Sequence, residues 1–190
     1  MTAILKTDLL MSIAEYLAME QNALEKHEYH DGEIYAMAGG TPNHSLLANN
    51  AGRFIGNALS GKACRVFNSD LMVAMSESRF VYPDLTVVCG KPEFYEVNSN
   101  AINNPTLIVE ILSESTADYD RGGKFTRYRK IESLQEYVLI EQETIRVEVW
   151  HQLEKNIWRI TTYESLEQHV ALQSLGVEVA MLDLYENIAL

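Results

Sequence analysis

Apolar positions along the chain follow two periods. From residue 8 to residue 20, Leu9, Ile13, Tyr16 and Leu17 recur at helical spacing, which predicts a short amphipathic helix with Asp8 as its N-cap. In "HEYHDGEIYAMAGG" the period drops to two around Asp31-Gly32, the dipeptide favoured in type I′ turns. Two strands at about 26–30 and 33–38 are expected there. After Gly39-Gly40, Pro42 suits a first helical turn, and Leu46, Leu47, Ala51, Phe54, Ile55, Ala58 and Leu59 share one broad face of a helix closed by Gly61.

"CRVFNSDLMVAM" and "ESRFVYPDLTVVCG" read as successive short strands, the second over about 70–75 and the third over about 80–89. A polar loop rich in Asn98, Ser99, Asn100, Asn103 and Asn104 leads to Pro105 and then to "TLIVEILS", an apolar run broken by Glu110 alone. Such runs mark central strands buried on both faces, where an unpaired carboxylate costs about several kcal/mol. A helix to about residue 132 follows, with Ser115 or Thr116 as cap and Phe125, Tyr128 and Ile131 as its apolar stripe. "EYVLIEQ" returns as a strand, "TIRVEVWHQ" and "NIWRITTYE" form a hairpin, and the tail gives a weak strand or two and a closing helical turn. The strand, helix and strand over 106–140 make a βαβ unit, so the class is α/β or α+β with a mixed sheet.

Bulk properties narrow the functions available. The length of 190 residues fits one domain, 1–190, without staples. Charged residues interrupt the N-terminal stretch, and no run approaches the roughly 20 apolar residues of a membrane helix. A soluble, cytoplasmic protein is expected. Cys64 and Cys89 stand in apolar stretches without CxxC pairing, so they read as reduced core thiols. Net charge is −12, and phosphate-backbone affinity comes from Lys and Arg, so any nucleic-acid role must find its cations locally.

Two acids stand where strands are most apolar. Asp84, directly after Pro83, opens one strand and Glu110 lies late in the next. If those strands are neighbours, the carboxylates converge at one sheet end and repel unless a cation holds them. Hard oxygen ligands with no Cys or His set favour Mg²⁺ or Mn²⁺. The plainer reading makes each acid a strand-end residue or a partner in an internal salt bridge.

Pro83-Asp84 followed by a strand bearing Glu110 resembles the PD-(D/E)xK phosphodiesterases, although their usual Lys position, two residues after the second acid, holds Leu112. The wider pattern is similar to the Uma family of restriction-endonuclease-like proteins. The matching pieces are Asp31-Gly32-Glu33 with His44, then Pro83-Asp84, then Val109 to Ser113 with Ser115-Thr116, then Tyr119-Asp120-Arg121-Gly122 through Lys124 to Tyr128. The resemblance spans about residues 10 to 150. It implies a restriction-endonuclease-like mixed β-sheet flanked by helices and a Mg²⁺-dependent (or Mn²⁺-dependent) DNA endonuclease. Asp84 and Glu110 would hold the metal, and the Lys, migrated onto the helix, would be Lys124. Glu33 would be an additional acid, while His44 could contact phosphate and Tyr128 could line the pocket or merely pack. Arg121, Arg127, Arg129 and Lys130 form the dense basic cluster for backbone phosphates, or a solvated helix face. A homodimer is implied for an enzyme of this kind. The alternative is a catalytically inactive nuclease fold serving as a binding or assembly module, its acidic surface facing a protein.

Overall fold

The structure, a computed structural model, describes residues 3–4, 10–113 and 116–190, positions 3, 4, 98 and 99 by backbone alone. After the short strand β1 (Ala3–Ile4), helix α1 runs Ile13–Glu20. Its start is a capping box in which Ser12 Oγ accepts from the Glu15 N–H and the Glu15 carboxylate accepts from the Ser12 N–H. The helix therefore begins later than the apolar spacing predicts, and Asp8 lies outside the described residues. Strands β2 (His27–His30) and β3 (Glu33–Ala36) form the hairpin that Asp31-Gly32 predicts. Both turn residues have positive φ, 52° and 101°, as a type I′ turn requires. Helix α2 (Pro42–Ala58) is capped by Thr41, whose Oγ1 accepts from the His44 N–H.

Strands β4 (Cys64–Asn68) and β5 (Met72–Ser76) come next. The single strand expected over about 80–89 is two, β6 (Arg79–Val81) and β7 (Leu85–Cys89). Pro83 has no amide hydrogen to give to a ladder, and the two halves join different sheets. The expected polar loop contains β8 (Phe94–Tyr95) and β9 (Asn98–Ile102). Strand β9 runs parallel to β5 and buries Ala101 and Ile102 fully, which outweighs its polar composition. Strand β10 (Leu107–Leu112) is followed by the helical segment α3 (117–128), in which a π turn, Asp120–Lys124, separates Ala117–Tyr119 from Phe125–Tyr128. Of the two expected caps, Ser115 lies outside the described residues and the Thr116 side chain makes no capping bond. Strands β11 (Glu136–Glu141), β12 (Val147–Glu154), β13 (Ile157–Tyr163), β14 (His169–Leu172) and β15 (Val177–Ala180) precede α4 (Met181–Leu184).

Six strands form one sheet in the order β13-β12-β11-β10-β7-β4, where β10 and β11 are parallel, joined through α3, and the other neighbours are antiparallel. A second sheet has the order β1-β3-β2-β6-β5-β9-β8, and β14 pairs with β15. The result is a mixed α+β fold whose sheets are flanked by helices.

Strand β10 is buried along its whole length and sets the geometry of everything near it. Leu107, Val109 and Ile111 pack with Leu47, Ala51 and Ile55 of α2, whereas Ile108 and Leu112 pack with Phe125 and Tyr128 of α3. Each such side chain contributes about 1.5–3 kcal/mol by leaving water, so slipping the strand by one residue is prohibitive. Glu110 shares its face with Ile108 and Leu112 and is therefore held against α3.

Cys64 and Cys89 are not reduced thiols: they form a disulfide. They stand directly opposite each other on β4 and β7, with Cα atoms 4.0 Å apart. Apolar surroundings at each position concealed a pairing that exists only once the strand register is known. Among the described residues, no helix is long and apolar enough to cross a membrane.

Candidate active site

The break at Pro83 leaves Asp84 where the chain passes from the seven-stranded sheet to the six-stranded one. Its Oδ2 accepts from the Ile111 N–H at 2.7 Å and lies 3.3 Å from His44 Nε2. The first bond ties Asp84 to β10 one residue beyond Glu110, and the second ties it to the first turn of α2. From the π turn, Lys124 Nζ reaches Glu110 Oε1 at 2.7 Å and Asp120 Oδ1 at 3.5 Å. Tyr128, one turn further on, donates its hydroxyl to the same Glu110 Oε1 at 2.9 Å. Asp84, Glu110, Asp120, Lys124, His44 and Glu28 all line one cavity of about 310 Å³, and among its described lining residues Lys124 is the only Lys or Arg.

Burial governs the electrostatics. It pushes the Glu110 carboxyl up to about 8, against the pull of Lys124 and with added repulsion from Asp120 and Asp84. Asp120 is raised for the same first reason. Burial works against the Lys124 ammonium, but the carboxylates of Glu110, Glu28 and Asp120 hold it charged, well above an ordinary lysine. His44 is raised by its bond to Asp84. Glu28 is desolvated too, yet Lys124 and His30 hold it below the usual carboxylate range. Four acids thus face one lysine, and burial, with repulsion between the carboxyls added to it, sets their electrostatics.

A family model described as "Putative restriction endonuclease", Uma2, matches residues 13–184. The chain belongs to the Uma2 family. Two Synechocystis sp. proteins described as uncharacterized are similar to this Uma2 chain throughout. The protein slr1290 is 36% identical over 94% of this chain and 93% of its own length, and sll1609 is 39% identical over 83% and 90%. A crystal structure from Anabaena variabilis, described as a putative nuclease belonging to DUF820, superposes with a TM-score of 0.76 at 17% identity, covering 94% of this chain and 99% of that one. The Uma2 fold here is accordingly restriction-endonuclease-like.

Of the residues singled out from sequence, the structure brings Asp84, Glu110, Lys124 and His44 into one cavity, with Tyr128 buried directly behind Glu110. Glu33 is elsewhere: it is exposed at the turn end of β3 and accepts from the Tyr35 hydroxyl. The acid that this hairpin sends into the cavity is Glu28, opposite Tyr35, two residues along the same sheet face from the Glu33–His30 pair. Alternation in β2 gave no signal for it, since the adjacent Glu28 and Tyr29 are both buried in a strand whose ends are half-exposed. Arg121 also points away, bonding Glu141 at 2.5 Å and Glu148 at 3.0 Å on β11 and β12. The basic cluster is thereby divided, because Arg127 instead donates to the Gly123 carbonyl. Asp120 was missed as a site residue, although its spacing of four from Lys124 on one helical segment marked the pair.

Among the described residues, no three His, Cys, Asp or Glu side chains stand close enough together to hold a metal ion. In this arrangement Asp84 Oδ2 is engaged by His44 and Ile111, and Glu110 Oε1 by Lys124 and Tyr128. The donor chemistry nevertheless suits Mg²⁺ or Mn²⁺, which are bound by one or two carboxylates while retaining waters. Repulsion among Asp84, Glu110 and Asp120 is what such a cation would relieve.

Proposed function

We propose that this Uma2 protein is a Mg²⁺- or Mn²⁺-dependent endonuclease that hydrolyses phosphodiester bonds of DNA in the cavity between its two large sheets. The carrying observation is the buried Asp84–Glu110–Lys124 constellation, with carboxylates repelling one another and an ammonium within 2.7 Å of the second. Asp84 and Glu110 would hold the cation, which when bound polarises the scissile phosphate and makes water nucleophilic near neutral pH. His44 and the Ile111 N–H fix the Asp84 carboxylate. Tyr128 fixes Glu110, so that Lys124 can turn from Glu110 toward a phosphate without leaving the acid unpartnered. The buried Lys124 ammonium would stabilise charge developing on the phosphate oxygens, a contribution typically of about 10²–10³ in rate.

The test is incubation of purified protein with supercoiled, linear and single-stranded DNA in Mg²⁺ or Mn²⁺, with EDTA controls. Cleavage should vanish in Asp84→Ala and fall at least about a hundredfold in Lys124→Met. Absence of cleavage under every condition, or cleavage indifferent to Asp84→Ala, refutes the reading. A second reading, a nuclease fold kept as a binding module, draws support from the engagement of Glu110 Oε1 by both Lys124 and Tyr128. Calorimetry with Mn²⁺ separates the two, because a working site binds the ion and loses it in Glu110→Gln.

A further inference from the structure

Tyr119 also lines the cavity but differs from the acids below it, keeping 39% of its surface exposed. One edge of its ring is braced by the backbone of Gly123, where an added Cβ would come within 3.0 Å of Cδ2 and Cε2. Arg127 completes the brace: its guanidinium carbon lies 5.7 Å from the ring centroid, and Nη1 lies 3.4 Å from the Tyr119 hydroxyl and 2.8 Å from the Gly123 carbonyl. An aromatic ring is thus fixed at the mouth of an acid-lined cavity, with a cation at its back and open surface in front.

The acids lie deep. The Asp84 and Glu110 side chains are only 15% and 6% exposed, so a scissile phosphate has to enter the cavity to meet them. A duplex holds its phosphates on a stiff outer spiral and hides base faces in its stack, whereas an unpaired strand can bend inward and offer a base face to a ring. Part of the positive charge that duplex binding would draw on is also committed. Lys26, Arg53, Arg79, Arg121 and Arg146 are each paired with a carboxylate in a chain of net charge −12.

We infer that the substrate class of this site is unpaired DNA, with Tyr119 as the platform on which a base next to the scissile phosphate stacks and Arg127 as the cation supporting it. This rests on the nuclease reading above and narrows it. Tyr119 is a substrate-positioning group, and stacking on it is tolerant of sequence.

Binding is measured by fluorescence anisotropy in Ca²⁺, using Asp84→Ala protein to prevent cleavage. The probes are a labelled unstructured oligodeoxynucleotide of about 12 nucleotides and the same sequence as a duplex. The single strand should bind at least about tenfold more tightly; Tyr119→Ala should lose about tenfold, and Tyr119→Phe should retain the affinity. A 2-aminopurine base in the strand should be quenched on binding, and the quench should vanish in Tyr119→Ala and weaken in Gly123→Ala, which displaces the ring while leaving it present. Equal or tighter duplex binding, no measurable single-strand binding, or affinity unchanged by Tyr119→Ala overturns the inference. Duplex cleavage in Mg²⁺ at an unchanged rate in Tyr119→Ala would sink this inference and spare the nuclease reading. Tyr119-dependent strand binding without any cleavage in the wild-type protein would do the opposite.

Discussion

Glu110→Gln in metal-free buffer tests the electrostatics of the cavity apart from any catalysis. Burial raises the Glu110 carboxyl from 4.5 to about 8, so between those values the folded protein holds a proton that the unfolded chain has released. The sign follows from linkage. Stability from this group is fully present below pH 4.5 and is lost as pH rises toward 8, at about 1.4 kcal/mol per pH unit. From about pH 5.5 to 7.5 the wild-type protein should therefore lose about 3 kcal/mol through Glu110 alone. Gln keeps an acceptor for Lys124 and Tyr128 but has no proton to give up, so the variant lacks this slope. With a urea m value of about 2–3 kcal/mol/M, the wild-type midpoint should fall by about 1 M more than that of the variant across the interval. The other titrating residues are present in both proteins, and the difference reports Glu110 together with the groups coupled to it, Lys124 foremost. Parallel pH dependences would refute the claim that Glu110 is held protonated by burial. Adding Mn²⁺ at the higher pH should restore much of the wild-type loss and little of the variant's, since the cation takes the place of the proton.

The disulfide between Cys64 and Cys89 closes a loop over a sequence separation of 25, so reduction or Cys64→Ala/Cys89→Ala should cost about 3.5 kcal/mol, read as a lower urea midpoint with and without dithiothreitol. At Gly40 an added Cβ would come within 2.8 Å of His44 Nδ1; Gly40→Ala should shift the imidazole from Asp84 and cut DNA cleavage at least about tenfold while moving Tm by only a few degrees. Tyr128→Phe removes a buried donor from Glu110 and should lower stability by about 1–2 kcal/mol in chemical denaturation. Burial works against the Glu148 carboxylate, but Arg121, Trp150 and Arg146 hold it below 4.5, so its stabilisation is present above that value and lost as pH falls through the lower folded one. Arg121→Met should therefore move the acid-unfolding midpoint to higher pH, followed by circular dichroism.

Much of the fold was legible wherever local chemistry and burial agree. Asp31-Gly32 dictated its hairpin, Pro42 and the apolar face after it a helix, and the apolar run through Glu110 its central strand. The errors share one cause, which is that pairing across strands has no local signature. The stretch over about 80–89 reads as one strand because apolar residues flank Asp84 on both sides, yet Tyr82-Pro83-Asp84 divides it between two sheets. Asn98 to Ile102 reads as a loop because two buried residues are outnumbered by polar ones. Cys64 and Cys89 were separable from a disulfide only by register. At the site, the acids after Pro83 and within the apolar run were visible as violations of the burial pattern. Glu28 was not, because a hairpin acid breaks no rule until a partner arrives, and Asp120 offered only its spacing of four from Lys124.

The break at Pro83 also explains why the constellation lies where it does. A continuous strand would keep position 84 in a single pleated ladder, its side chain facing one layer. Dividing the run between two sheets instead leaves Asp84 at their junction, where the first turn of α2 and strand β10 both reach it. The same β10 carries Glu110 into the cavity, and the π turn supplies Asp120 and Lys124. A π turn is a local expansion of the helix, frequent at functional sites. Both irregularities therefore converge on one cavity, and both place like charges together in a medium that punishes them. Well-packed apolar side chains in such a space are often as stable or more so, and the acids gathered there are what the proposed cation would bind.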